Sequence, residues 1–212
     1  MRVHTLTLRG FRNYVQLEIA FSPAINIFIG ENAQGKTNIL ESMYLGAMGQ
    51  SHRASEDQDM ISWQSESGSV DITFTRQDLE NRLQFHLTKG QRKQIVLNSE
   101  PIKLKDLIGS LNAVLFSPED LWLIKGAPSE RRRFLDNEIS QASPVYYRQL
   151  LQYQRTLQQR NNLLKLIREN GRPDQLDTWD LQLAKSAALV TQKRMESVKK
   201  LTMLANLMHR RI

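Results

Sequence analysis

The chain has 212 residues, 40% hydrophobic and 24% charged, and no cysteine. That length gives one or two domains with a sizeable core, and the composition excludes a disordered, collagen-like or disulfide-stapled chain. The formal net charge is +7, shared unevenly: residues 1–105 hold 12 basic and 11 acidic side chains, residues 106–212 hold 17 and 11.

A basic second half suggests a polyanion partner, nucleic acid before membrane. No apolar run reaches the roughly 18 residues that a membrane span needs. No apolar stretch follows Met1-Arg2-Val3 as in a secretory leader. These features, with the missing cysteines, lead us to expect a cytoplasmic protein.

In chain order, Val3 to Leu8 alternates loosely, and Val15, Leu17, Ile19 and Phe21 alternate with polar residues and Ala20. Both read as strands with one apolar face. Residues 25–29 are apolar on both faces except Asn26, which predicts a buried parallel strand. Residues 36–48 predict a helix with Ile39, Leu40, Met43, Tyr44 and Ala47 on one side. Strands follow at Val70, Ile72 and Phe74 and at Leu83, Phe85 and Leu87, then a turn at 89–93 into a strand at 94–98. Residues 113–116 predict a further short buried strand.

Beyond them the chain turns helical. Helix starts are expected at Ser117-Pro118, at Ser129 and at Ser143-Pro144. A helix over 144–169 should stop at Asn170-Gly171, with Pro173 beyond, and another should run from 177 or 178 nearly to the end. The break at Gly171-Arg172-Pro173 favours a packed helical hairpin over a long coiled coil.

The strongest chemical signal is Gly30, Glu31, Asn32, Ala33, Gln34, Gly35, Lys36 and Thr37, which matches G-x-x-x-x-G-K-[ST]. Glycines permit a tight turn and let backbone N–H groups approach phosphate oxygens. The start of the following helix adds its positive end. Lys36 is the expected catalytic cation for the β- and γ-phosphates, and the Thr37 hydroxyl the expected ligand for Mg²⁺. No Asn-Lys-x-Asp guanine reader is present, so ATP is the expected nucleotide.

Two strands precede this loop, and a helical part follows the sheet. That order resembles the ATP-binding-cassette architecture: an α/β class with a mixed sheet, here half of a nucleotide lobe over 1–105, and then a helical lobe over 106–212. The run Leu8-Arg9-Gly10-Phe11-Arg12-Asn13-Tyr14 looks like the opening of chromosome-maintenance and repair ATPase heads. The resemblance places Arg12 and Asn13 by the nucleotide.

A closer likeness rests on several segments in order: the loop through Asn38, Ser51-His52-Arg53, Phe116-Ser117-Pro118-Glu119-Asp120-Leu121, Ile124-Lys125-Gly126-Ala127-Pro128 and Arg131-Arg132-Arg133-Phe134-Leu135-Asp136. In these the chain resembles the RecF family of DNA replication and repair proteins along nearly all its length. The resemblance implies an ABC-type ATPase that binds DNA at single-strand/double-strand junctions, gaps and stalled forks and belongs to the DNA-damage and SOS response. It implies an ATP-dependent homodimer and the partners RecR and, often, RecO. Members of the family run longer and carry their signature loop and Walker B strand in the later part. Neither is seen here, so the sequence reads as an N-terminal portion without hydrolysis of its own.

Three consecutive helical arginines fan over about 200° and cannot all face one phosphate. At least one of Arg131, Arg132 and Arg133 should pair with a nearby acid, which leaves one or two for DNA or a partner; Lys125 and Arg53 are weaker candidates for the same anionic surface. Glu119 is a candidate for the residue that senses Mg²⁺ and water, or simply a helix-start carboxylate. His4, His52, His86 and His209 have no metal-ligand spacing. Trp63, Trp122 and Trp179 read as packing residues. The loop alone also fits a P-loop kinase, or an SMC-like head used mainly for dimerisation.

Overall fold

The structure, a computed structural model, describes residues 1–170 and 176–211, without the side chains of Glu119, Glu169 and Asn170. The expected stop at Gly171 and Pro173 and the role weighed for Glu119 lie outside the described residues. The chain divides into two compact units, Met1–Phe116 and Ser117–Ile212. The sequence reading had placed the division at 105/106; in the structure Leu107, Ile108 and Leu111 are buried in the first unit.

In the first unit, strands β1 (Arg2–Phe11), β2 (Tyr14–Ala20), β3 (Ser67–Arg76), β4 (Leu79–Thr88), β5 (Gln94–Leu97) and β6 (Glu100–Ile102) form one sheet, ordered β2-β1-β3-β4-β5-β6. Every neighbouring pair is antiparallel. Period-2 alternation puts Leu6 and Leu8, Val70, Ile72 and Phe74, and Leu83, Phe85 and Leu87 on one buried face. The other face is polar, with Thr5 bonded to Thr73 at 2.6 Å and Arg82 paired with Asp71. The β3–β4 hairpin turns through Gln77-Asp78 and the β5–β6 hairpin through Asn98-Ser99, all four at positive φ, as two-residue turns of this twist require.

Helix α1 (Lys36–Met48) covers the apolar face with Ile39 and Leu45 and ends at Gly49, whose N–H reaches Leu45 O at 2.7 Å. The buried residues of α1 include Glu41, Ser42 and Gly46, whereas Leu40 is exposed. The expected stripe holds at Ile39, Met43 and Ala47 and is corrected at Leu40, while Gly46 faces Ile72 and Leu111. A short helix, α2 (Leu104–Leu107), adds Leu107 to the same core.

Two expected strands are corrected. Residues 25–29 and 113–116 join no sheet among the described residues. Ile25, Ile27, Ile29, Val114 and Phe116 are exposed, from 77% to 91%. Phe28 turns inward, edge-on to Phe21 at 6.4 Å, and Ala113 and Leu115 are half-buried. The edge strands of the sheet are β2 and β6, and among the described residues neither segment pairs with them.

The second unit holds α3 (Trp122–Lys125), α4 (Pro128–Ala142), α5 (Pro144–Asn170) and α6 (Leu176–His209). A single 3-10 turn, Pro118–Leu121, precedes α3, and its Asp120 carboxylate accepts the Ser117 N–H at 2.7 Å. Helix α4 begins at Pro128 behind Ala127, one residue before the expected Ser129, because proline suits a first helical position. Ser143 ends α4 and starts α5, its hydroxyl accepting the Tyr146 N–H.

Residue pairs run in opposite directions along α5 and α6: Arg160 meets Asp180, and Tyr146 packs with Val190. The small apolar core of Tyr146, Leu150 and Val190 is braced by a buried clasp. Asp136 accepts the Tyr146 hydroxyl at 2.5 Å and both the Nε and Nη2 of Arg194. Burial, together with the neighbouring Asp136 carboxylate, pushes the Tyr146 phenol well above its ordinary range.

Asp136→Ala strands two buried donors, and we expect it to cost about 3–5 kcal/mol in urea unfolding. Asp180→Ala breaks a more exposed pair and should cost under about 1 kcal/mol. Equal losses would show that the clasp carries no special share of the stability. The uncovered segments generate a second expectation. Ile27→Lys and Phe116→Lys should raise the concentration at which sedimentation velocity first detects self-association.

Candidate functional site

Residues 30–37 wrap into a loop that delivers the chain to the first turn of α1. Ala33 sits at φ 65° and Gly35 at φ 98°. Gly35 has a second constraint besides φ: a Cβ there would lie 2.6 Å from the Tyr14 hydroxyl and 2.7 Å from Asn13 Oδ1. The β1–β2 turn therefore lies directly against the loop, and the left-handed φ at position 35 favours glycine. No side chain caps α1, and its first turn carries no acid. The N–H groups of Lys36 and Thr37 have no intrahelical acceptor by position, so this helix end is open to an anion.

Lys36 reaches back across the loop, its Nζ donating to Gly30 O at 2.7 Å and to Glu31 O at 2.6 Å. Thr37 is exposed on the first turn, beside Asn38. Asn38 donates to Asn13 Oδ1 at 2.8 Å and accepts from Arg53 Nη1 at 3.4 Å. Asn13 and Arg53, placed 40 positions apart by the sequence, thus meet at one residue of α1.

Arg12 is engaged from beneath. Its Nε and Nη2 donate to the Glu41 carboxylate at 3.0 and 2.6 Å, and its Nη1 donates to Asp59 O. Glu41 is fully buried and also accepts the Ser51 hydroxyl. Burial alone would raise its pKa; the hydrogen bonds from Arg12 and Ser51 and the charges of Arg12 and Arg53 outweigh that and hold the carboxyl below its ordinary range. Glu41 was missed by sequence reasoning, because a glutamate mid-helix reads as a solvated position.

A cleft of about 570 Å³ lies next to this network, lined by Arg12, Arg53, Gln58, Asp59, Trp63 and Lys89 among others. Trp63 is 94% exposed there. This corrects its expected packing role: it occupies the tip of a turn closed by Ser65 N–H to Ser62 O at 2.9 Å, which projects it outward. Trp122 is likewise exposed, at the start of the four-residue α3, which has no buried face; Trp179 is half-buried.

The candidate DNA contacts divide between the units. Arg53 lies in the first, beside the loop; Lys125, Arg131, Arg132 and Arg133 lie in the second, all exposed. Arg131 Nη1 lies 3.4 Å from the Leu123 and Gly126 carbonyls, and Arg133 pairs with Glu130 at 2.5 Å. Arg132 has no side-chain partner among the described residues, so it is the arginine of the three that is open to an outside anion. Among the described residues no group of three His, Asp or Glu is arranged to hold a metal ion, and no helix is long and apolar enough to cross a membrane.

Comparison with known proteins agrees with this geometry. The RecF/RecN/SMC N terminal domain matches residues 2–205. The DNA replication and repair protein RecF of Alkaliphilus oremlandii is 43% identical over the whole chain, and that of Listeria monocytogenes 41%. The chain spans 58% of the length of each of these relatives. Among solved structures, the recombination mediator protein RecF with ATP, of the RecFOR pathway, superposes with a TM-score of 0.90 at 34% identity, covering 94% of this chain and 54% of that one. An SMC ATPase, solved in work on ATP-driven dimerisation and DNA-stimulated activation, gives a TM-score of 0.52 at 25% identity over 65% of this chain. The α/β class with a helical part is therefore that of RecF and SMC ATPase heads, and the chain belongs to the RecF/RecN/SMC N-terminal domain family.

Proposed function

We propose that the chain binds ATP with Mg²⁺ at residues 30–37 and forms the nucleotide-binding part of a RecF-type DNA replication and repair ATPase. The observation that carries this reading is the loop itself: a glycine turn wedged under Asn13 and Tyr14, opening an uncapped helix, with Lys36 Nζ lying across it. The likeness to a RecF solved with ATP supports it.

Lys36 leaves its two carbonyl acceptors for the β- and γ-phosphates, and the N–H groups at the start of α1 receive phosphate oxygens. Thr37 would offer one hydroxyl ligand to Mg²⁺, which when bound would offset charge on the phosphates. Arg53 donates to Asn38 on the first turn of α1, next to the loop. The neighbouring cleft, with the exposed Trp63 ring, accommodates base and ribose. Glu41 is bound to Arg12 and does not act as a base for water.

The basic second unit contacts DNA phosphates through Arg132 and Lys125, and in the whole protein the reading extends to an ATP-dependent homodimer acting with RecR and RecO at gaps and stalled forks. DNA affinity should fall steeply with salt and depend little on sequence.

Isothermal titration tests the site. Lys36→Ala should abolish ATP and ADP binding with the circular dichroism unchanged; intact affinity would refute the assignment. In fluorescence anisotropy at two salt concentrations, Arg132→Glu should weaken DNA binding more than Arg76→Glu on the sheet. Equal effects would remove the helical unit from the DNA surface. Phosphate release by the chain alone should stay at background with and without DNA, because an oriented water and a second acidic group at the metal are needed for transfer; turnover that vanishes in Lys36→Ala would overturn that.

A further inference from the structure

We propose that Glu41 is a positioning residue of the nucleotide site, fixing Arg53 beside the phosphate loop through Ser51. The inference rests on the nucleotide-binding reading above.

Proton accounting gives the direction of each bond. The Ser51 oxygen accepts the backbone N–H of Arg53 at 2.9 Å and of Ala54 at 2.8 Å. Backbone N–H groups only donate, so the single hydroxyl proton of Ser51 goes to the Glu41 carboxylate. Glu41 thereby sets the rotor of Ser51, and Ser51 organises the turn that carries Arg53.

The bonds close into a ring. Arg53 reaches Asn38, Asn38 reaches Asn13, and Asn13 follows Arg12, whose guanidinium returns to Glu41. The ring passes through α1 at Asn38 and Glu41, within the first two turns that follow the loop. It also sorts the positive charges. Arg12 is neutralised by a buried carboxylate. Arg53 forms no ion pair among the described residues, so Lys36 and Arg53 are the two cations left for an incoming polyphosphate. A buried ion pair is weak support for stability compared with apolar packing. Here it joins the β1–β2 turn, α1 and the segment after α1 in one register.

The test compares Ser51→Ala, Arg53→Ala, their double variant and Ser51→Thr, using competition against a fluorescent ATP analogue. Ser51→Ala leaves the Glu41–Arg12 pair in place and removes only the link to Arg53. Each single alanine variant should weaken ATP about tenfold while changing AMP little, the size of a lost charge-assisted contact. The double variant should lose no more than either single one, and Ser51→Thr should restore affinity. Glu41→Gln, checked for folding by urea denaturation, should reproduce the ATP-selective loss. Additive losses, or equal losses for ATP and AMP, overturn the proposal. ATP binding that is lost in Lys36→Ala but unaltered in Ser51→Ala overturns this inference alone; no ATP binding by the unaltered chain overturns the nucleotide reading with it.

Discussion

Glu41 is charged and inaccessible, one turn below the lysine of the phosphate loop, and the first unit is arranged around meeting that charge. An uncompensated carboxylate in such a place would be several kcal/mol unfavourable. Arg12 must therefore sit where it does, and with it the turn between β1 and β2. That turn brings Asn13 and Tyr14 against Gly35, whose left-handed φ favours glycine. The apolar seat of α1 on the sheet, through Ile39 and Leu45, holds the helix at the height where these polar partners meet. Loop shape is thus fixed from below by charge and from the side by steric contact.

The second unit follows the same logic on a smaller scale. Its apolar core is slight, and three helices are held in register by one carboxylate shared between a phenol and a guanidinium. Along α6 the apolar side chains continue well past that core: Met195, Val198, Leu204 and Met208 are about half exposed. Polar clasp and apolar stripe thus lie on one helix, the first fixing α4 and α5, the second facing outward.

Much of this was legible in the sequence. The loop motif has fixed residues with fixed physical jobs, and the alternation of Val70, Ile72 and Phe74 or Leu83, Phe85 and Leu87 survives in the folded sheet because one face of it is solvated. The helix start at Ser143-Pro144 and the long helices after it were equally plain. Residues 25–29 were misread because a continuous apolar run reports only a liking for burial, not the presence of a neighbouring strand. Glu41 was invisible for the opposite reason: its burial depends on Arg12, 29 positions earlier, and on Ser51, ten later. Trp63 was assigned to packing on residue type, and the two-residue tip that turns it outward has no glycine or proline to announce it. The likeness of residues 8–14 to chromosome-maintenance and repair ATPase heads implied a place by the nucleotide for Arg12, whose charge the structure pairs with Glu41.

The two carbonyl bonds of Lys36 have a bearing on selectivity. With its ammonium held at Gly30 and Glu31, the loop is internally solvated and its central cation is partly satisfied before any ligand arrives. An anion gains from the site only what exceeds those bonds. Inorganic phosphate, with one group to offer, recovers little beyond what the carbonyls already provide. A chain of linked phosphates engages the lysine, the helix start and a metal ion together, without a separate loss of translational freedom for each contact. The resting lysine therefore acts as a threshold that discriminates by the number of connected phosphates, independently of the base that carries them.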